Sequence, residues 1–185
     1  MNKADSERLG SALSQLGLSE IASKEDADVV VLNTCVVRQN AEDKAVGTLT
    51  SLKPQKVANN DKVLALMGCM VGPDSTPLQK RFPYVDVFMR PQEYAPLIDL
   101  ISERLNVDPD GCIGPLTGTP SISTHIPIIH GCDKFCSVCI IPYRRGRESS
   151  RSIVDIVNET EMLVRRGVRE ITLLGQNVDS YGHDL

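Results

Sequence analysis

Apolar residues along this chain follow two alternating patterns, short continuous runs and longer stretches with helical spacing. The runs DVVVLNTC, KVLALMGC and YVDVF are typical of strands buried on both faces. Residues 5–16, 40–52 and 92–105 repeat apolar positions every three or four residues, as amphipathic helices do. We expect the first helix to start at Asp5 or Ser6 and to stop at Gly17. Strands that alternate with helices predict an α/β fold with a parallel sheet.

A second α/β unit follows a segment that has no periodicity. Residues 107–124 are rich in Pro, Gly, Ser and Thr, which predicts a linker between one domain at 1–106 and another at 125–185. Beyond the linker, HIPIIHG predicts a strand, SIVDIVNETEMLVRRG a helix, and EITLLGQN a further strand. Cys112 lies in the linker without a patterned neighbour, and we interpret it as a free thiol.

Two cysteines follow predicted buried strands directly. Cys35 ends the run DVVVLNTC, and Cys69 ends the run KVLALMGC. The carboxyl ends of parallel strands share one edge of a sheet, where ligands bind, so we expect both thiols at one rim. Two thiols are too few for a zinc site or an iron–sulfur cluster. The alternatives are a pair of buried structural thiols or an incomplete set of ligands.

Composition favours an ordinary globular protein of the cytosol. The chain is 41% apolar and 24% charged, with a net charge of −4, so no overall positive field attracts nucleic acid. The start, MNKADSERLG, lacks the apolar core of a signal peptide, and VLALMGCMVG is about half a membrane span. Thiols stay reduced in the cytosol, where clustered cysteines indicate metal or redox chemistry.

The most informative segment is HGCDKFCSVCIIPYRRGR, which has the spacing C-x3-C-x2-C at Cys132, Cys136 and Cys139. A disulfide knot is the weakest interpretation in a reducing compartment. A structural zinc site needs four ligands in paired spacing, and the only further candidate nearby is His130. Three thiolates on a four-iron cluster would leave one iron without a protein ligand. The local run Arg144, Arg145 and Arg147 is either a solvated face or a phosphate-binding element.

This cysteine loop, placed after the first strand of a β/α unit, resembles that of radical S-adenosylmethionine enzymes. The stretches NTCVVRQNAEDKAVGTL, GCMVG, IPIIHGCDKFCSVCIIPYRRGRESSRS and LLGQNVDSYG further resemble methylthiotransferases of the MiaB type. The resemblance covers nearly all of the chain except the linker. It implies an N-terminal parallel-sheet methylthiotransferase domain followed by the first two β/α units of a radical S-adenosylmethionine partial TIM barrel. It also implies methylthiolation at C2 of the isopentenylated adenosine beside the tRNA anticodon.

The resemblance assigns roles to the chain's cysteines and to a few other residues. Cys132, Cys136 and Cys139 would hold a 4Fe–4S cluster whose open iron binds S-adenosylmethionine. Cys35 and Cys69 would be two of the three ligands of an auxiliary 4Fe–4S cluster. The cofactor's methionyl part would lie at Gly175, Gln176 and Asn177, and RNA phosphates would meet Arg144, Arg145 and Arg147. The implied partners are a tRNA and an electron donor such as flavodoxin or ferredoxin, with no membrane.

Three departures from the family pattern shape our expectations. The family's third auxiliary cysteine precedes a stretch matching Met1-Asn2, so we expect a coding region that extends upstream by one strand and carries it. The barrel has only its first two units, so we expect a fragment that is inactive alone. Val138 replaces an aromatic residue beside the adenine. The alternatives are the relative that methylthiolates a ribosomal-protein aspartate and an iron–sulfur electron carrier, which would not bind S-adenosylmethionine.

Overall fold

The fold was examined in a computed structural model, which describes residues 1–35, 39–107 and 122–185. Helices and strands alternate along the described chain, as the apolar pattern predicts, except for two successive strands within residues 123–130. The helices are α1 (Asn2–Gln15), α2 (Gln39–Ala58), α3 (Thr76–Arg81), α4 (Ala95–Leu105), α5 (Ile141–Arg145) and α6 (Ile153–Arg165). The strands are β1 (Val29–Thr34), β2 (Val63–Gly68), β3 (Val87–Met89), β4 (Ser123–Pro127), β5 (Ile129–His130), β6 (Ser149–Ser150) and β7 (Glu170–Leu174). A short 3₁₀ helix covers Val178–Ser180.

The first unit is a three-stranded parallel sheet with the order β1-β2-β3. All of β2 is buried, because helices cover both faces of this central strand. Val63, Ala65 and Met67 pack with α1 and α4, whereas Leu64 and Leu66 pack with α2 on the opposite face. Alternate side chains of a strand point to opposite faces, so an unbroken apolar run serves two cores at once.

The second unit contains strands β4 and β7, which pair in parallel, with α6 between them in sequence. Its smaller core consists of Ile126, Ile128, Ile129, Leu163 and Val168. Next to it, β5 and β6 form an antiparallel pair that the sequence pattern did not predict. This pair matters for the site, since it closes the segment that carries the three clustered cysteines.

The two units meet along α1. Arg8 of α1 donates to both carboxylate oxygens of Glu159 in α6, at 2.7 and 2.8 Å. Arg151, which lies just before α6, reaches the same carboxylate at 2.6 Å. These three side chains are mostly buried, so the ion pairs hold the helix of one unit against the other.

Several sequence expectations need correction. Helix α1 begins at Asn2 rather than at Asp5 or Ser6, so Asp5 lies inside the helix and is buried. Helix α4 begins at Ala95 rather than at residue 92, because Gln92 has a positive φ of 70° that no α-helix accommodates. The three parallel strands of the first unit are confirmed.

Other expectations are left as predictions. The predicted domain limits fall on the linker, and most of the linker, including Cys112, lies outside the described residues. The second unit supplies one β–α–β element, and the wider barrel is not tested. Within the described ranges, no helix is long and apolar enough to cross a membrane.

Candidate functional site

The cysteine loop, residues 131–140, is held at its start by the chain that follows it. The backbone N–H of Cys132 donates to the carbonyl oxygen of Gly146 at 3.2 Å. Gly131 has a φ of +66°, and a Cβ atom there would collide with the carbonyl of Arg147. Only glycine combines this backbone conformation with so close an approach. The start of the loop is therefore packed directly against the segment that leaves it.

Charged side chains reinforce this closure. Asp133 N–H donates to Glu148 Oε1, and Glu148 N–H donates to Asp133 Oδ1, both at 3.2 Å. Arg147 Nε lies 2.9 Å from Asp133 Oδ1. Inside the loop, Cys139 N–H donates to the carbonyl of Cys136 at 3.0 Å, which forms a turn between these two thiols. Residues 131–150 therefore fold back on themselves through backbone and charged side-chain contacts that do not involve the thiol groups.

The three thiols differ in exposure. Cys132 is buried, Cys139 is half-buried and Cys136 is exposed, and all three are free cysteines. Within the described ranges, no three Cys, His, Asp or Glu side chains converge as the ligands of a single metal ion would. In a 4Fe–4S cluster each thiolate binds a different iron, so the ligands need not converge on one point. Three free thiols on one anchored loop fit such a group by their chemistry.

Cys35 and Cys69 lie at the same rim of the first sheet, as the parallel topology predicts. Thr34 pairs with Gly68 across β1 and β2, so both cysteines immediately follow paired residues. The N–H of Cys69 donates to the carbonyl of Thr34 at 3.1 Å. Gly68 has a φ of +104°, and a Cβ atom there would collide with that same carbonyl. The chain turns sharply at Gly68 and presents Cys69 beside the end of β1.

Residues 175–177 follow β7 and lie beside β5, the strand that leads into the cysteine loop. Ile128 N–H donates to the carbonyl of Leu174 at 2.8 Å. A Cβ atom at Gly175 would collide with the side chain of Ile129, so the two segments touch. Asn177 also forms a side-chain hydrogen bond with Ser180. The structure thus brings this segment to the same end of the second unit as the cysteine loop.

The arginine run lies partly in a short helix. Arg144 and Arg145 end the short helix α5, whereas Arg147 follows it and has a side chain that is 76% exposed. Arg145 turns inward, where its side chain is 4% exposed and pairs with Asp5. Arg144 lies against Gly72, where any larger residue would collide with its guanidinium. The three cationic side chains therefore differ in exposure and in partners.

His130 is a hydrogen-bonded residue at the junction of the units. The amide nitrogen of Gln92 lies 2.5 Å from Nδ1 of His130. An amide nitrogen only donates, so Nδ1 accepts this hydrogen bond. Burial lowers the pKa of His130 to about 4, because the charged imidazolium loses its hydration. The residue borders a cleft of about 590 Å³, which is also lined by Arg8, Tyr94 and Arg151.

Sequence reasoning missed two polar residues of α1 that contact this region. Asn2 and Asp5 bind Arg145 at 2.7 and 3.1 Å. A signal was present, since both positions continue the stripe of Leu9, Ala12 and Leu16 at helical spacing. An acid on the buried stripe of a helix indicates a buried partner.

Comparison with known proteins agrees with this arrangement. Residues 1–90 match the model of the Uncharacterized protein family UPF0004. The whole chain is 47% identical to the tRNA-2-methylthio-N(6)-dimethylallyladenosine synthase of Dehalococcoides mccartyi and covers 42% of that relative. The protein of the same name from Herpetosiphon aurantiacus is 42% identical to the chain, which covers 43% of its length. The one from Chloroflexus aurantiacus is 43% identical to the chain, which covers 40% of its length. The chain thus spans about two fifths of the length of these curated relatives.

The similarity extends over both α/β units, including the two rim cysteines and the cysteine loop. Along its whole length the chain is similar to proteins named tRNA-2-methylthio-N(6)-dimethylallyladenosine synthase.

Proposed function

We propose that this chain is part of an enzyme that adds a methylthio group to C2 of the isopentenylated adenosine beside the tRNA anticodon. The observation that carries the proposal is the loop with three free thiols at Cys132, Cys136 and Cys139, anchored at the end of a strand. The similarity of the whole chain to proteins named tRNA-2-methylthio-N(6)-dimethylallyladenosine synthase supports the choice of substrate. The radical S-adenosylmethionine mechanism, with a partial barrel, is part of the same proposal.

The cysteines are the residues that would hold the iron–sulfur groups. The three thiols of the cysteine loop would hold one 4Fe–4S cluster and leave one iron open for S-adenosylmethionine. Cys35 and Cys69 would hold part of a second. When bound, these groups supply the one-electron and methyl-transfer chemistry.

The protein's own residues orient and shield these groups. The fixed start of the loop at Cys132 gives its thiol a defined direction, and its burial limits contact with water. Gly175, Gln176 and Asn177 are half-buried near the strand that leads into this loop, where they would orient the methionyl part of the cofactor. Exposed Arg147 is the arginine best placed to meet an RNA phosphate. We place the reaction in the cytosol, with electrons from a flavodoxin or ferredoxin.

Nucleoside analysis of the host organism tests this function. Deleting the gene should remove the 2-methylthio group from tRNA while the isopentenyl group remains. The intact gene and a Cys112→Ala variant should restore the modification, whereas Cys132→Ala should not. Unchanged methylthiolated nucleosides in the deletion strain would refute the proposal.

A further inference from the structure

Two residues of α1 lie between the two groups of cysteines. Asn2 Nδ2 donates to the carbonyl of Thr34 at 3.0 Å, next to Cys35. On its other side, Asn2 Oδ1 accepts from Nη2 of Arg145 at 2.7 Å. One side-chain amide therefore contacts both units, and both of its polar atoms are used.

Asp5, one helical turn further, holds the same guanidinium. Its Oδ2 lies 3.1 Å from Arg145 Nη2, and the two side chains are 1% and 4% exposed. Gln92 donates to the other carboxylate oxygen of Asp5 at 3.4 Å. A buried guanidinium without its carboxylate would be an uncompensated charge, so this pairing confines Arg145 to one position.

In the first unit, these contacts converge on the backbone carbonyl of Thr34. The oxygen of Thr34 accepts from Asn2 and also from the backbone N–H of Cys69, at 3.0 and 3.1 Å. The hydroxyl of Thr34 donates to the carbonyl of Met67 at 2.8 Å. Thr34 thereby ties the ends of β1 and β2 together and connects both rim cysteines to Asn2.

On the side of the second unit, Arg145 is directly followed by Gly146. The carbonyl of Gly146 accepts from the N–H of Cys132 at 3.2 Å. A displacement of Arg145 would move this carbonyl and the start of the cysteine loop with it. A continuous series of contacts thus runs from Thr34 through Asn2 and Arg145 to Cys132. We call Asn2, Asp5 and Arg145 the α1 bridge.

We propose that Asn2 and Asp5 are positioning residues that fix the cysteine loop relative to Cys35 and Cys69. This inference rests on the proposed function, in which both cysteine groups serve one reaction on one nucleoside. Neither residue needs to touch substrate or cofactor. A residue that only stabilised α1 would affect both cysteine segments alike. The α1 bridge instead has one contact on the side of Cys69, from Asn2 to Thr34, and another on the side of Cys132, from Asp5 to Arg145.

Substitutions at Asn2 and Asp5 separate these halves. Asn2→Asp keeps an oxygen for Arg145 and removes the donor to Thr34, so the Cys69 amide should exchange hydrogen faster and the Cys132 amide should not. Asp5→Asn weakens the hold on Arg145, so the Cys132 amide should exchange roughly 10- to 100-fold faster, as loss of one charged hydrogen bond implies. Glu7→Gln, in an exposed pair of the same helix at 3.7 Å, is the matched control and should change neither amide.

Hydrogen exchange of the full chain, followed by mass spectrometry with residue resolution, decides the matter. The crossed pattern supports the bridge, while equal effects at both amides, or none, overturn it. If Asp5→Asn unfolds the chain, Asn2→Asp alone still has to show its selective effect at Cys69. A second readout is the electron paramagnetic resonance spectrum of the reduced, iron-reconstituted protein, which Asp5→Asn should alter and Glu7→Gln should not. If wild-type protein forms no iron–sulfur group, the proposed function fails while the exchange pattern still tests the bridge.

Discussion

Gly131→Ala is the substitution that most directly probes how the cysteine loop is anchored. An alanine at the φ of +66° that Gly131 adopts costs about 1–2 kcal/mol relative to glycine. Its Cβ would also collide with the carbonyl of Arg147, so the segment leaving the loop must move away. That movement breaks the hydrogen bond from Cys132 to Gly146, which contributes about 1 kcal/mol. We therefore expect a loss of about 2–3 kcal/mol in the free energy of unfolding of the second unit.

The assay is urea unfolding of the full chain, with the second unit followed by hydrogen exchange of peptides that cover residues 128–150. Gly47→Ala is the matched control, because a Cβ atom on this residue of α2 meets no atom within 4 Å. Glycine inside a helix is less favourable than alanine, so the control should gain about 0.5–1 kcal/mol. If Gly131→Ala changed the free energy of unfolding by less than about 0.5 kcal/mol, the close packing described here would be wrong.

Two further predictions concern single charged or titratable groups. The pKa of His130 is about 4 in the folded chain and near 6.5 when unfolded, so the unfolded state takes up the proton first as the pH falls. Stability should therefore decline from about pH 6.5 towards pH 4, and His130→Gln should make urea midpoints less dependent on pH in that window. Arg147→Ser should make the plot of the logarithm of RNA affinity against the logarithm of salt concentration less steep, by about 0.7 to 0.9. An unchanged slope would mean that Arg147 is a solvated surface residue that binds no phosphate.

The sequence was sufficient to predict the parallel sheet and the shared rim of its two cysteines. Continuous apolar runs such as VLALMG specify a strand with two covered faces, and β2 is such a strand. Once the strands are parallel, their carboxyl ends must meet at one edge, which places Cys35 next to Cys69. This part of the site follows from local pattern and topology alone.

The surroundings of the cysteine loop were not predictable in the same way. Arg145 looked like its exposed neighbours, because its carboxylate partner Asp5 is 140 residues away in sequence. Strand β6 has only two residues and forms because Ile129 and His130 offer it a partner. Such features depend on which surfaces meet after folding, and no periodic pattern within one segment records them.

The proposal on which the others depend is that Cys132, Cys136 and Cys139 hold an iron–sulfur cluster with an iron open to S-adenosylmethionine. It is tested most directly by anaerobic reconstitution, iron analysis and electron paramagnetic resonance of the reduced protein with and without S-adenosylmethionine. We expect about four irons bound firmly through these cysteines and a spectrum that changes when S-adenosylmethionine is added. Cys112→Ala should retain both properties, and replacing the three cysteines by alanine should abolish them. Stoichiometric zinc without iron, or a cluster spectrum indifferent to S-adenosylmethionine, would contradict the account.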